Sequence, residues 1–190
     1  MLILSHRGSD WQSGEIKENS IEAFQRSLDK GVDGIETDVR LDKNRRIVIK
    51  HDPVLNDEPN LLLEEFLEWA PSDILLNLEI KDPRVVNPLV NMVNKYNSKQ
   101  YLISSSHHRA AWKFNKKMPD IECGVLISCF PLLFTIFEQM IPASFSHIIW
   151  EYEMYDSYLA SKLDKYEHFL YNVPHNNAHK LVDGIISDHI

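Results

Sequence analysis

Three short strings place histidines and carboxylates at the ends of apolar runs: Ser5-His6-Arg7-Gly8, Gly34-Ile35-Glu36-Thr37-Asp38 and Lys50-His51-Asp52-Pro53. A fourth, Asn77-Leu78-Glu79-Ile80-Lys81, follows them. Glu36 and Asp38 are two apart on a β-like segment, so their side chains leave the same face, roughly 7 Å apart along the strand. Two carboxylates facing one way repel unless something positive sits between them. Glu79 ends the next predicted barrel strand and becomes their neighbour in space. Three carboxylates with no matching cysteine set suit one hard divalent metal, Mg²⁺ or Ca²⁺, with Mn²⁺ also admissible and Zn²⁺ disfavoured.

His6 and His51 each close a strand-like run, and imidazole exchanges protons near neutral pH. Cleaving a phosphodiester takes a base for the attacking oxygen and an acid for the leaving alkoxide, on opposite sides of phosphorus. Two separate histidines suit that task. Arg7 and Lys81 are the local cations, a fork and a point charge for phosphate oxygens. Gly8 permits a sharp turn beside a ligand. Asn19 reads first as a helix N-cap, Glu18 as a partner for Arg7 or a metal ligand, and Asp52 as a further supporting residue of the site. Of the nine histidines, His107, His108, His147, His168, His175, His179 and His189 take the ordinary structural or surface reading. Trp150 reads as core before pocket wall.

The elements that must position these residues alternate. Strands are predicted at 2–6, 34–41, 74–80, 101–105, 123–128, 147–152, 168–173 and 184–188, with a further strand-like run at 47–51. Helices are predicted at 19–30, 61–70, 83–96, 107–117, 132–140 and 156–166, with a brief helical turn at 176–181. Repeated βα units imply a parallel sheet. Eight of them favour a closed TIM-type (βα)8 barrel over an open sheet, and no G-x-G-x-x-G follows any strand. The segment 32–38, Val-Asp-Gly-Ile-Glu-Thr-Asp, is echoed at 182–188, Val-Asp-Gly-Ile-Ile-Ser-Asp. No full eighth helix follows the last predicted strand, and the strip it leaves uncovered is a candidate homodimer contact.

The 190 residues, 44% of them apolar, suffice for one domain, 1–190, with a real core. A net charge of −8 argues against nucleic acid as the main partner. It leaves room for a small phosphorylated substrate, since local positive charge plus a metal can outweigh the global sign. Cys123 and Cys129 read as reduced thiols. No signal peptide fits ahead of His6 and no run is long enough for a membrane span, so the expectation is a soluble, cytoplasmic protein.

Taken in order, His6-Arg7-Gly8, Glu18-Asn19-Ser20 with Glu22-Ala23-Phe24, Gly34 to Val39, His51-Asp52-Pro53, Leu78-Glu79-Ile80-Lys81 and the closing 182–188 segment resemble the motifs of the glycerophosphodiester phosphodiesterase family. The first five of these, in order, are specific where one alone is weak. The resemblance implies a TIM barrel and metal-dependent hydrolysis of a glycerophosphodiester to glycerol 3-phosphate and an alcohol. It implies Glu36, Asp38 and Glu79 as metal ligands, His6 and His51 as the acid–base pair, and Arg7 and Lys81 on the phosphate. The substrate's own glycerol hydroxyl can attack first in such enzymes, giving a cyclic phosphate. Three departures stand out: no long insertion caps the site between His51 and Glu79, Tyr171 stands where a tryptophan is frequent, and the last helix is missing. Two rival readings keep the same barrel. One is a lysophospholipase D or sphingomyelinase D-like phosphodiesterase, its reduced cap admitting an acyl chain. The other is a binding protein without turnover.

Overall fold

The computed structural model describes residues 1–8, 16–55, 59–129, 138–174 and 182–189. Nine strands appear among them: β1 (Leu2–His6), β2 (Gly34–Leu41), β3 (Ile47–Ile49), β4 (Leu75–Ile80), β5 (Gln100–Ser105), β6 (Glu122–Ile127), β7 (His147–Glu151), β8 (Glu167–Tyr171) and β9 (Gly184–Ser187). Eight of these run parallel in the order β1-β9-β8-β7-β6-β5-β4-β2, and β1 pairs with β2 to close the ring. The fold is an eight-stranded parallel barrel with helices between the strands. The predicted strand-like run at 47–51 shortens to β3, which lies antiparallel on β2 outside the ring. His51 therefore stands in the loop beyond it, ahead of Pro53.

Alternation along each strand sorts the side chains. Ile35 and Val39 of β2 and Leu76, Leu78 and Ile80 of β4 face outward into the apolar layer beneath the helices. Glu36, Asp38 and Glu79 face inward. Inside the ring, Leu4, Leu102, Ile149, Phe169 and Ile186 form a second apolar cluster. Gly184 leaves space for the Phe169 ring, which a Cβ there would meet at 2.6 Å. The edge of His147 rests on the same ring, centroids 5.0 Å apart. The lower barrel is thus filled, and the three inward carboxylates Glu36, Asp38 and Glu79 lie toward the end where the strands finish.

Five α-helices are described: α1 (Ile21–Asp29), α2 (Leu63–Trp69), α3 (Val86–Lys95), α4 (His108–Asn115) and α5 (Ser157–Lys162). A 3₁₀ turn, Pro83–Val85, leads into α3 and another, Tyr152–Met154, follows β7. α1 carries Phe24 inward, where it packs on Phe66 of α2 at 4.9 Å. Its cap is Ser20, whose hydroxyl accepts from the Ala23 amide, and not Asn19. The helical turn predicted at 176–181 and most of the helix predicted at 132–140 lie outside the described residues. Ile185, facing outward on β9, is 8% exposed and joins the apolar layer beneath the helices. Among the described residues no helix is long and apolar enough to cross a membrane.

Arg7 and Gly8 leave β1 in the left-handed region, φ 54° and 82°. A Cβ on Gly8 would stand 2.5 Å from the Ala23 Cβ and 2.8 Å from the Ala23 carbonyl carbon. The turn therefore serves close approach to α1. Gly8→Ala is expected to cost about 2–4 kcal/mol, combining the left-handed penalty with overpacking against a helix backbone. Urea unfolding measures it, and a midpoint equal to wild type would contradict the packing argument.

Candidate active site

The register of the closed sheet assembles the polar residues. Asp38 pairs with Glu79 across β2 and β4, and His6 pairs with Glu36 across β1 and β2. Glu36, Asp38 and Glu79 are buried, and one carboxylate oxygen from each lies within 4.8 Å of the others. Both oxygens of Glu36 are buried without a hydrogen-bond partner. Burial, reinforced by Asp38 and Glu79, pushes the Glu36 carboxyl well above the ordinary carboxylate range. Burial raises Glu79 as well, against the pull of Lys81. Such a cluster is electrostatically incomplete, and a divalent cation with oxygen ligands is what completes it. The donor set therefore fits one hard metal ion.

The local cations sit against these carboxylates. Arg7 Nε is 3.1 Å from Asp38 Oδ2, and its terminal nitrogen is 3.3 Å from Glu18 Oε2. Glu18 thus orients Arg7 and stays out of the triad. Lys81 Nζ lies 2.7 Å from Glu79 Oε1 and 3.5 Å from Asp38 Oδ1. Burial alone would lower the Lys81 ammonium, but Glu79 and Asp38 outweigh it and hold it above its ordinary value. Asn19, left-handed at φ 55°, accepts from the Thr37 hydroxyl at 2.7 Å and turns its amide toward Asp38 Oδ2 at 3.4 Å. Freed from capping, it braces β2 where the carboxylates emerge.

The two histidines differ in surroundings. His6 is nearly buried: its Nδ1 is 2.5 Å from Asp188 Oδ1, and its Nε2 is 3.7 Å from Glu36 Oε2. His51, with 37% of its side chain exposed, has Nδ1 2.9 Å from Asp52 Oδ1. The backbone carbonyls of His51 and Lys81 both accept from Arg40, tying the loop to the end of β4. A cavity of about 270 Å³ opens over the group, lined by both histidines, Arg7, Glu79, Lys81 and, on the far side, Ser106, Leu126, Ser128, Tyr171 and Asn172. Trp150 takes no part. It is fully buried and donates to His168 Nδ1 at 3.0 Å, while His168 Nε2 faces the Leu163 carbonyl at 3.1 Å. His147 is buried in the barrel floor, and His107 and His108 are exposed where α4 begins. His175 and His179 lie outside the described residues.

Asp188 was not singled out from sequence, yet it holds the buried histidine. The internal echo carried the signal. Asp33 and Asp183 play matching parts at the strand starts, accepting from the amides of Ile3 and His168 at 2.8 Å each. Asp38 and Asp188 match near the exits of the two strands that flank β1, Asp188 one position past β9.

Comparison with known proteins agrees with this geometry. The model of the glycerophosphoryl diester phosphodiesterase family matches residues 6–168. A glycerophosphodiester phosphodiesterase of Caldanaerobacter subterraneus is 29% identical, over 67% of this chain and 67% of its own length. One from Bacillus altitudinis is 30% identical over 65% of each. The chain spans about two thirds of the length of these curated relatives. Among solved structures, an Oleispira antarctica phosphodiesterase in complex with the product sn-glycerol-3-phosphate superposes with a TM-score of 0.82 at 18% identity, covering 100% of this chain and 93% of that one. A Thermotoga maritima glycerophosphodiester phosphodiesterase gives 0.77 at 21% identity, covering 99% and 94%. With the matched segment running from His6 to the start of β8, the chain belongs to the glycerophosphoryl diester phosphodiesterase family.

Proposed function

We propose that this chain hydrolyses a glycerophosphodiester to glycerol 3-phosphate and an alcohol, using one divalent cation, Mg²⁺ or Ca²⁺, and two proton-carrying histidines. One observation carries the reading: a buried carboxylate triad, with both Glu36 oxygens unpartnered, reaches through Glu79 the same cavity that two imidazoles and two cations line. Held by Glu36, Asp38 and Glu79, a divalent cation would polarise a phosphoryl oxygen and ease ionisation of the attacking one. Arg7 and Lys81 line the cavity with positive charge for the remaining phosphate oxygens. Asp188 keeps His6 Nδ1 engaged, which leaves Nε2 toward the interior for proton exchange. Asp52 does the same for His51 at the mouth. One imidazole takes the proton of the attacking oxygen and the other supplies the leaving alcohol. The phosphorus–oxygen bond to the alcohol breaks, and water supplies the new oxygen and proton overall.

The lining favours a water-soluble diester over a lysolipid. Leu126 is its only aliphatic side chain among the described residues, and a volume of about 270 Å³ suits a compact polar molecule. The Oleispira protein's product complex supports the same glycerol 3-phosphate product here. The test is release of glycerol 3-phosphate from glycerophosphocholine by purified protein with Mg²⁺, Ca²⁺ or EDTA. Metal-dependent product, reduced at least about 10²-fold in His51→Ala, is expected. Turnover of lysophosphatidylcholine alone would move the reading to a lysophospholipase D. Metal binding without turnover of either would leave a binding protein.

A further inference from the structure

Away from the barrel mouth, the Pro83–Val85 turn and α3 meet α4 in a groove of about 560 Å³. Every charged residue lining it is a cation: Arg84, Lys113, Lys116 and Lys117. That is unusual in a chain with 28 acidic and 20 basic residues. Arg84 is matched by the buried Asp82, whose carboxylate accepts from its Nε and terminal nitrogen at 2.7–3.1 Å. Among the described residues, none of the three lysines pairs with a carboxylate. Between them stands Trp112, 41% exposed, with Lys116 Nζ 5.8 Å from its ring centroid. The same helix buries Ala110, Ala111 and Phe114 on its other face, so the fold is satisfied without the indole and the lysines.

We infer that this face of α4 is a docking surface for an anionic phospholipid bilayer, with Trp112 at headgroup depth and Lys113, Lys116 and Lys117 on the lipid phosphates. An indole is apolar in body and polar at its N–H, which suits the boundary between headgroups and water. Clustered lysines beside it supply the attraction to anionic lipid. The charge complementarity is local. A flat bilayer meets one face only, and among the described residues no acidic side chain lines the groove on that face. A nucleic acid would need a longer cationic track than one helix end provides. This inference is independent of the catalytic reading. If that reading holds, the surface brings the enzyme to where deacylation of glycerophospholipids releases its substrate.

The experiment is flotation of the purified full chain with vesicles of equal parts phosphatidylglycerol and phosphatidylcholine, beside pure phosphatidylcholine. Runs at about 20 mM and about 500 mM salt bracket the screening. Binding to the anionic vesicles alone, lost at high salt, is expected. Lys113→Glu with Lys116→Glu and Lys117→Glu should lower partition at least about tenfold, since one lysine near an anionic surface contributes roughly fivefold. Vesicles should also shift the tryptophan emission of wild type to the blue but not that of Trp112→Phe. All four positions are exposed, and an unchanged circular dichroism melt confirms that the variants fold. No flotation at low salt, flotation indifferent to the lysines, or preference for a single-stranded oligonucleotide over vesicles would each overturn the inference.

Discussion

Glu36→Gln is expected to lower metal-dependent turnover roughly 10³-fold or more while making the metal-free protein more stable. The two effects have opposite signs and one cause. Charge stabilisation by a bound metal contributes several kcal/mol to a reaction of this kind, and each 1.4 kcal/mol is tenfold in rate. Removing one of three carboxylates weakens the site that would hold the ion. In the metal-free chain the same carboxylate is a burden, because it is buried beside Asp38 and Glu79 with neither oxygen hydrogen-bonded. Its acidity is suppressed, so the folded chain keeps a proton that the unfolded chain has released. Where the unfolded state binds fewer protons, stability falls as pH rises. The decline begins near the ordinary value of 4.5 and continues upward through the raised folded value. Glutamine keeps the shape and removes this dependence. At neutral pH the metal-free variant should melt about 2–8 °C above wild type, the shift that roughly 1–2 kcal/mol gives at this chain length. Saturating Mg²⁺ or Ca²⁺ should raise the wild-type melting temperature, because a ligand that binds only the folded state stabilises it, and should raise the variant's far less. A variant that retains wild-type turnover and the full metal-induced shift would sink the triad assignment.

Much of this site was legible in sequence because strand alternation is strict. Once Ile35 and Val39 needed an outer apolar layer, Glu36 and Asp38 had to face the barrel interior. The parallel order β2–β4 then brought Glu79 level with Asp38. What stayed hidden depended on choices that local rules leave open. Asn19 and Ser20 are both good caps, and the helix took Ser20. Asn19 was released into a left-handed conformation that spends its amide on Thr37 and Asp38. His51 read as the end of a strand, but β3 pairs on the outside of β2 and stops two residues short. Lys81 and Arg7 read as phosphate ligands, and geometry places both first against carboxylates. Each case turns on a contact between segments distant in sequence, where propensity carries no information.

Asp188→Asn is expected to lower kcat about 10²–10³-fold with little change in KM. The residue sits one position past β9 and reaches across to β1, where its Oδ1 lies 2.5 Å from His6 Nδ1. Burial would raise its carboxyl, but the hydrogen bond to His6 and the charges of His6 and Arg7 outweigh that and hold it below its ordinary range. It therefore stays an acceptor and keeps the imidazole proton on Nδ1, so that Nε2 presents its lone pair toward Glu36 and the cavity. Asparagine can offer its oxygen, keeping the tautomer but losing the charge that stabilises the imidazolium. It can instead offer its amide hydrogens, which puts the imidazole proton on Nε2 and removes the base. Both outcomes strike proton transfer and spare phosphate binding, and losses of this size are typical when a proton-transfer group is disabled. The pH profile separates positioning from simple destabilisation. With the carboxylate gone, imidazolium is less favoured, so whichever limb of the kcat/KM profile His6 governs should move to lower pH. An Asp188→Asn enzyme with both limbs in place and its loss of rate explained by partial unfolding in urea would show Asp188 to be a structural tie between β9 and β1.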